Sequence, residues 1–249
     1  MPASPLSPNE VMIEMTEHKK IAIVTGGGTG LGQASVIRLL ADGYRVVSLG
    51  MDIEEKIDHP DHEERRFDVT NSDAIAALAR EFDGVDALVN AAGIIVHDMG
   101  EFTNSGFAKV MDVNLRGTQE ICFALEAALK SRRGAIVNFA SMWTYFGSSR
   151  NPAYSASKGA VDSFTRALAA AWAADGVRTN AVAPGWVKTR MAINAMNNPE
   201  RAEPILKRIP MARWGEPKEV ASAVAFLLSS EASYINGVTL PIDGGYMVG

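Results

Sequence analysis

Tyr154 and Lys158 stand four residues apart in a helical pattern, a spacing that puts a phenol and an ammonium on one helix face, within reach of one ligand. A free tyrosine titrates near about 10, so a phenolate within range of neutral pH needs roughly 4 kcal/mol of differential stabilisation. A neighbouring cation has the sign to supply it. Ser141 follows an apolar run that predicts a strand, where its hydroxyl can donate to a carbonyl or alkoxide oxygen as charge develops there. The three side chains predict general acid/base chemistry at a carbon bearing oxygen. The plainer alternative is a surface aromatic beside a solvated lysine, with a serine that caps a turn. Asn114 lies within a long helical pattern, where asparagine is a disfavoured filler. It predicts either a helix distortion or a buried polar contact.

These residues need a frame, and the segment TGGGTGLG at positions 25–32 provides its first joint. It follows the apolar run Ile21-Ala22-Ile23-Val24 and precedes a helical pattern, so a tight turn joins a buried strand to a helix. Gly26, Gly30 and Gly32 allow unusual backbone dihedrals and let a pyrophosphate approach helix amides of partial positive charge. No register fits G-x-G-x-x-G, and Gln33 stands where a nucleotide-hydrolysing P-loop needs lysine. A turn that only reverses the chain is the alternative.

Asn90-Ala91-Ala92-Gly93, Asn114, Ser141, Tyr154 and Lys158 occur in the order and spacing of one family, and the chain resembles the short-chain dehydrogenase/reductases. Asp68, the run Pro184-Gly185-Trp186-Val187-Lys188-Thr189 and the closing Asp243-Gly244-Gly245 extend the likeness from Lys20 to the C-terminus. The resemblance implies hydride exchange between a nicotinamide and a secondary alcohol or ketone. In it Ser141 orients the substrate oxygen and Tyr154 moves its proton. Lys158 lowers the tyrosine pKa and binds the nicotinamide ribose, while Asn114 holds a water that relays protons. The implied cofactor contacts are Gly26, Thr29, Gly30, Leu31, Gly32, Asp68, Val69, Asn90, Ala91, Gly93, Tyr154, Lys158, Pro184, Gly185, Val187 and Thr189. Asp68 would meet the adenine amino group and Asn90 the adenosine ribose; Pro184 to Thr189 would receive the carboxamide and a phosphate. A dinucleotide-binding sensor or scaffold without turnover is the second function class.

The family's usual acidic residue at the end of the second strand is replaced by Gly50, with Met51 after it and Thr29 in the turn, so neither cofactor selector is present. Asp52, Glu54 and Glu55 make the next loop acidic and disfavour an added phosphate, which favours NAD over NADP.

Apolar runs at 21–25, 45–49, 65–68, 87–90, 135–139, 178–182 and 238–242 alternate with helical patterns. They predict one α/β domain at 19–249: a Rossmann-like, doubly wound parallel sheet of seven strands with helices on both faces. Residues 1–18, rich in proline and polar groups, predict a mobile extension. Segments 107–130 and 153–175 predict long helices, with Val161, Phe164, Leu168 and Trp172 at helical intervals. Family members pair through these helices, which implies a homotetramer.

Residues 186–217 carry Met, Pro and Trp without a regular period, and the resemblance implies a substrate lid there. Met142, Trp143, Tyr145, Phe146, Ile94, Ile95 and Trp186 are candidates to border the nicotinamide and predict an apolar or ring-bearing substrate. His97 and Asp98 form a surface pair; His59 and His62 have ligand-like spacing in a charged connection, and no metal is expected.

A chain of 249 residues that is 47% hydrophobic can bury one large core, and a net charge of −5 without a run of Lys or Arg argues against nucleic-acid binding. The single cysteine, Cys122, excludes an internal disulfide and suits a reducing compartment. With no stretch of roughly 18 apolar residues, a cytoplasmic enzyme is expected.

Overall fold

The apolar runs form β1 (Ile21–Thr25), β2 (Arg45–Gly50), β3 (His62–Arg66), β4 (Ala87–Asn90), β5 (Ala135–Phe139), β6 (Arg178–Pro184) and β7 (Thr239–Ile242) in a computed structural model that describes residues 19–249. The mobile extension expected at 1–18 lies outside the described residues. All seven strands pair in parallel in the order β3-β2-β1-β4-β5-β6-β7. Strand order reverses between β1 and β4, so connections leave in opposite directions and open a crevice at the carboxyl ends.

The helices are α1 (Gly30–Ala41), α2 (Ser72–Ala79), α3 (Asn104–Met111), α4 (Gly117–Ala124), α5 (Glu126–Arg132), α6 (Pro152–Trp172), α7 (Ile193–Met196), α8 (Pro199–Arg208) and α9 (Pro217–Leu228). Successive strand side chains point to opposite faces, so β1 sends Ala22 and Val24 to one layer and Ile23 to the other. Val36 and Leu39 of α1 join Val220 and Val224 of α9 over the first layer. Ile75 of α2, Ile121 of α4, Leu129 of α5 and Leu168 of α6 close the second. The sheet is thus covered on both faces, as a parallel sheet must be.

Three expectations need correction. Strand β3 begins at His62 rather than at 65, because this edge strand is aligned by its pairing with β2 (Val46↔His62, Gly50↔Arg66) and not by apolar content. No helix joins β2 to β3: residues 51–61 form an irregular loop. The helix expected at 107–130 is broken, first by a π turn at Asp112–Arg116 and then at Leu125, whose φ of −93° and ψ of 5° leave the helical range. The second long helix is continuous through α6 and ends in a 3-10 turn at Ala173–Asp175. Among the described residues, no helix is long and apolar enough to cross a membrane, and no group of three or more His, Cys, Asp or Glu could hold a metal ion. His62 instead bonds Ser48 Oγ at 2.8 Å and the Ile57 carbonyl at 3.2 Å.

Candidate active site

The crevice is built at the ends of β1, β4, β5 and β6. The turn after β1 takes positive φ at Gly26 (66°) and Gly30 (50°), which glycine adopts without a Cβ penalty. A Cβ on Gly32 would lie 2.1 Å from the Gly26 carbonyl oxygen, so only glycine lets α1 start this close to the turn. Thr29 precedes α1 in extended conformation and its side chain makes no capping bond, while Leu31 packs on the first core layer.

The first amide of α1 already holds an anion: Gly30 N donates to Glu54 Oε2 at 3.1 Å. Glu54 N in turn donates to the Gly28 carbonyl at 2.9 Å, and Gln33 Nε2 donates to the Glu55 carbonyl at 2.7 Å, so the acidic loop is folded over the glycine turn. Arg190 closes it from the other side, 2.6 Å from Asp52 and 4.0 Å from Glu54. A carboxylate at a helix N-terminus is a small-scale stand-in for a phosphate. With glycines that no Cβ could replace, this donor set fits the pyrophosphate of a dinucleotide.

The other predicted contacts follow the carboxyl ends of the strands. Ala91 N donates to the Thr25 carbonyl at 3.2 Å, which fixes the loop after β4. Thr189 faces Gly30, whose Cβ would lie 3.5 Å from Thr189 Cγ2. Pro184 ends β6, Gly185 N donates to the Ile242 carbonyl at 3.0 Å, and buried Val187 bridges Gly215. Asp68 is exposed beyond β3, and its carboxylate accepts from Thr70 N and Oγ1, each at 2.8 Å; those bonds hold its pKa below the usual value. Val69 beside it is buried, where the close approach of Gly117 requires the absence of a Cβ. Asn90 is buried, and its side chain donates inward to Asn138 Oδ1 at 2.9 Å and to Cys122 Sγ at 3.2 Å. Its side-chain amide thus ties β4 to β5 and to the helix that carries Cys122. Burial pushes the Cys122 thiol up to about 12.

Tyr154, Ser141 and Lys158 converge at the end of β5. Ser141 caps a 3-10 turn at Met142–Thr144: its Oγ accepts from Trp143 N at 3.3 Å, and its hydroxyl lies near enough to the Tyr154 phenol to lower its pKa. Lys158 is 4% exposed; its Nζ donates to the Phe139 carbonyl at 2.6 Å and lies 5.5 Å from the centroid of the Tyr154 ring. Burial alone lowers its pKa to about 8. Tyr154 is pushed up to about 12, chiefly by burial, against the lowering bond from Ser141 and with a further rise from the charge of Glu101. In the ligand-free protein desolvation thus outweighs the help that the sequence expects from Lys158.

Asn114 lies at the centre of the π turn. Its Oδ1 accepts from Ile94 N at 2.8 Å, and its Nδ2 donates to the Ile94 carbonyl and to Ser157 Oγ, each at 3.1 Å. Both helix distortion and polar contact are therefore present. Gly93 passes between the two groups: a Cβ there would stand 3.4 Å from Asn114 Oδ1 and 3.5 Å from Lys158 Nζ.

Ile94, Ile95 and Trp143 pack around Tyr154, and Met142, Phe146, Trp186 and Trp214 form an adjoining apolar wall; Tyr145 is exposed. Trp186 meets Trp143 and Trp214 edge-on at 6.4 and 6.1 Å. Sequence reasoning missed Arg208, which stacks between Phe146 and Tyr246 at 4.7 and 4.2 Å. It also missed Glu101, because a charged residue in an irregular stretch carries no periodic signal, and it placed Glu54 in an acidic loop without its bond to the Gly30 amide.

A family model described as "Enoyl-(Acyl carrier protein) reductase" matches residues 26–247. A 2-dehydro-3-deoxy-D-gluconate 5-dehydrogenase of Dickeya dadantii is 36% identical over 92% of this chain and 95% of its own. The chain is a short-chain dehydrogenase/reductase. A galactitol 2-dehydrogenase (L-tagatose-forming) of Cereibacter sphaeroides is 41% identical to this dehydrogenase/reductase over 91% of its chain and 94% of the relative. A solved structure of a putative 2-deoxy-D-gluconate 3-dehydrogenase from Agrobacterium tumefaciens, with bound NADP, superposes at a TM-score of 0.82, with 35% identity over 92% of this chain and 97% of that one. This dehydrogenase/reductase is accordingly an NAD(P)-linked oxidoreductase acting on alcohol or ketone groups of small molecules.

Proposed function

We propose that Tyr154 is the general acid/base of a reversible oxidation of a secondary alcohol, with Ser141 orienting the reacting oxygen, Lys158 supplying charge and Asn114 supporting the proton relay. The observation that carries this reading is the meeting of the Tyr154 phenol, the Ser141 hydroxyl and the Lys158 ammonium at the end of β5, beside the glycine turn. A bound nicotinamide would supply the hydride donor or acceptor and, when oxidised, a positive charge that favours the phenolate. Trp143 N occupies a lone pair of Ser141, which leaves the hydroxyl hydrogen to donate to the substrate oxygen. A Lys158 pKa of about 8 keeps most of its charge at pH 7, where that charge opposes the burial penalty on a phenolate. Gly26, Thr29, Gly30, Leu31 and Gly32 hold the pyrophosphate, Asp68 and Val69 the adenine, and Pro184 to Thr189 the carboxamide end. Residues 186–217, with the short helices α7 and α8, cover the substrate.

The relatives' names, the aromatic wall and the stacked Arg208 favour a polyhydroxy alcohol or sugar acid whose carbon face lies on the indoles. Purified protein incubated with NAD or NADP and a panel of polyols, sugar acids and simple secondary alcohols, followed by absorbance of the reduced nicotinamide, tests this. Turnover with none of the panel, despite tight dinucleotide binding, would favour the sensor or scaffold.

The acidic loop supports NAD as cofactor, since Asp52 and Glu54 stand against the glycine turn where an added phosphate would meet like charge. Any dinucleotide must displace Glu54 from the Gly30 amide. Glu54→Gln is therefore expected to tighten NADH by about two- to fivefold, the size of one charge interaction at a helix terminus. Fluorescence titration of wild type and variant with NADH and NADPH reads both points. Weaker NADH binding by the variant would refute the displacement, and tighter NADPH than NADH binding by wild type would refute the preference.

Assembly as a homotetramer through α4 and α6 is part of this reading. Phe123 of α4 is 50% exposed beside Phe164 and Trp172 of α6, an apolar face of the kind that subunits cover. Sedimentation velocity is expected to give four times the 26.6 kDa chain mass; a single-chain value would reject it.

A further inference from the structure

We propose that Glu101 is a positioning residue for Tyr154, holding the start of α6 and the 94–96 backbone at a fixed height against each other. The proposal rests on the role given to Tyr154 above.

Glu101 is 1% exposed and sits on a 3-10 turn at Gly100–Phe102. Its Oε2 accepts from Tyr154 N at 2.9 Å, and its Oε1 accepts from Val96 N at 3.1 Å and Asn151 Nδ2 at 3.2 Å. A single carboxylate thereby ties the crevice loop, the residue before α6 and the backbone of Tyr154 itself. Helix α6 lacks the usual local solution: the Asn151 side chain makes no capping bond, and Pro152 brings no N–H. Glu101 does the work of an N-cap from 53 residues away in sequence, and it places negative charge at the positive end of the helix.

The approach to Glu101 is itself unusual. Asp98 and Met99 take left-handed φ of 56° and 61°, a conformation that non-glycine residues hold only where the surroundings fix it. Gly100 follows, and a Cβ there would stand 2.6 Å from Val96 Cγ1. The chain folds tightly back on itself to bring one carboxylate under one tyrosine.

A cap alone would not need to sit beside the reacting phenol, where its charge opposes phenolate formation. Around Tyr154, the 94–102 segment contributes Glu101 with the exposed pair His97 and Asp98 farther out, the 141–144 turn Ser141 and Trp143, α3 the apolar Val110, and α6 Lys158. Glu101 raises the phenol pKa by its charge, Lys158 Nζ lies 5.5 Å from the ring centroid, and the two charges have opposite sign. Geometry is thus held at the expense of phenol acidity.

Glu101→Gln keeps the shape, removes the charge and turns an NH2 group toward an N–H donor. In an NAD-linked oxidation the expected result is a kcat about 10- to 100-fold lower, an NADH Kd within twofold of wild type, and an acid limb of the kcat/KM profile displaced to lower pH. Glu101→Asp, charged but one methylene shorter, is expected to lower kcat while leaving the limb in place. A purely structural cap would lower the melting temperature and leave the limb unmoved. A folded Glu101→Gln with kcat within twofold, or an unmoved limb, overturns the proposal; if that variant does not fold, a Glu101→Asp kcat within twofold overturns it. Tyr154→Phe assayed alongside separates the two ideas, because its full turnover would remove the underlying role of Tyr154 whatever Glu101 does.

Discussion

Tyr154→Phe is expected to lower turnover by about 10²- to 10⁴-fold, the usual contribution of a positioned general acid/base, while dinucleotide affinity stays within a few-fold of wild type. The variant deletes one oxygen from a ring that stays packed against Ile94, Ile95 and Trp143, so the helix and its neighbours have no reason to move. The deleted oxygen is nevertheless the group that Ser141 addresses. Burial holds the phenol near about 12, so in the oxidation direction the wild-type rate should climb with pH as the phenolate forms. Steady-state rates across pH, with NADH titration as the binding control, check both parts. Retained turnover would return Tyr154 to a packing role.

Lys158→Met is expected to cost at least about 10²-fold in turnover and, separately, to change how stability depends on pH. Its pKa falls from the ordinary 10.5 to about 8 on folding, so between those values the unfolded chain binds more protons than the folded one. Wild-type stability should therefore rise with pH across that window, by up to roughly 3 kcal/mol, a gain absent from the methionine variant. Below about pH 8 the wild type bears the whole cost of burying a charge. Against this, the variant loses the bond from Nζ to the Phe139 carbonyl, about 1–3 kcal/mol at any pH if the carbonyl stays dry. Urea midpoints at pH 7 and pH 10 separate the two contributions. A wild-type-to-variant difference that is the same at both pH values would show that Lys158 is not depressed.

Much of this architecture was legible because buried parallel strands are written as unbroken apolar runs, as in Ile21-Ala22-Ile23-Val24 and Ala135-Ile136-Val137. Tyr154 and Lys158 were legible for a related reason: helical periodicity is local, and four residues make one turn. Strand β3 was misplaced because its sequence, His-Glu-Glu-Arg-Arg, has no apolar face, and its position comes from bonds to β2 that no window of sequence contains. The disturbance at Asn114 was signalled by a disfavoured residue within a helical pattern, but its form, a π turn held by contacts with Ile94 and Ser157, lies outside any local window. Glu101 was silent altogether: its three partners are nearby in space and up to 53 residues distant in the chain. A helix opening with Pro152 and a side chain that fails to cap it was the one available hint that an acceptor had to come from elsewhere.

The inward-turned amide of Asn90 belongs to a row of bonds that continues from Asn138 Nδ2 to Thr165 Oγ1 at 2.9 Å and from Thr165 Oγ1 to the Val161 carbonyl at 2.8 Å. Oily layers tolerate sliding; directional bonds do not. The row therefore works as a key between β4, β5 and α6, and a shift of the helix by one residue would break its one tooth on the sheet, the bond from Asn138 to Thr165. Since α6 also bears the phenol and the ammonium, their aim is inherited in part from polar side chains buried within the sheet and its covering helix.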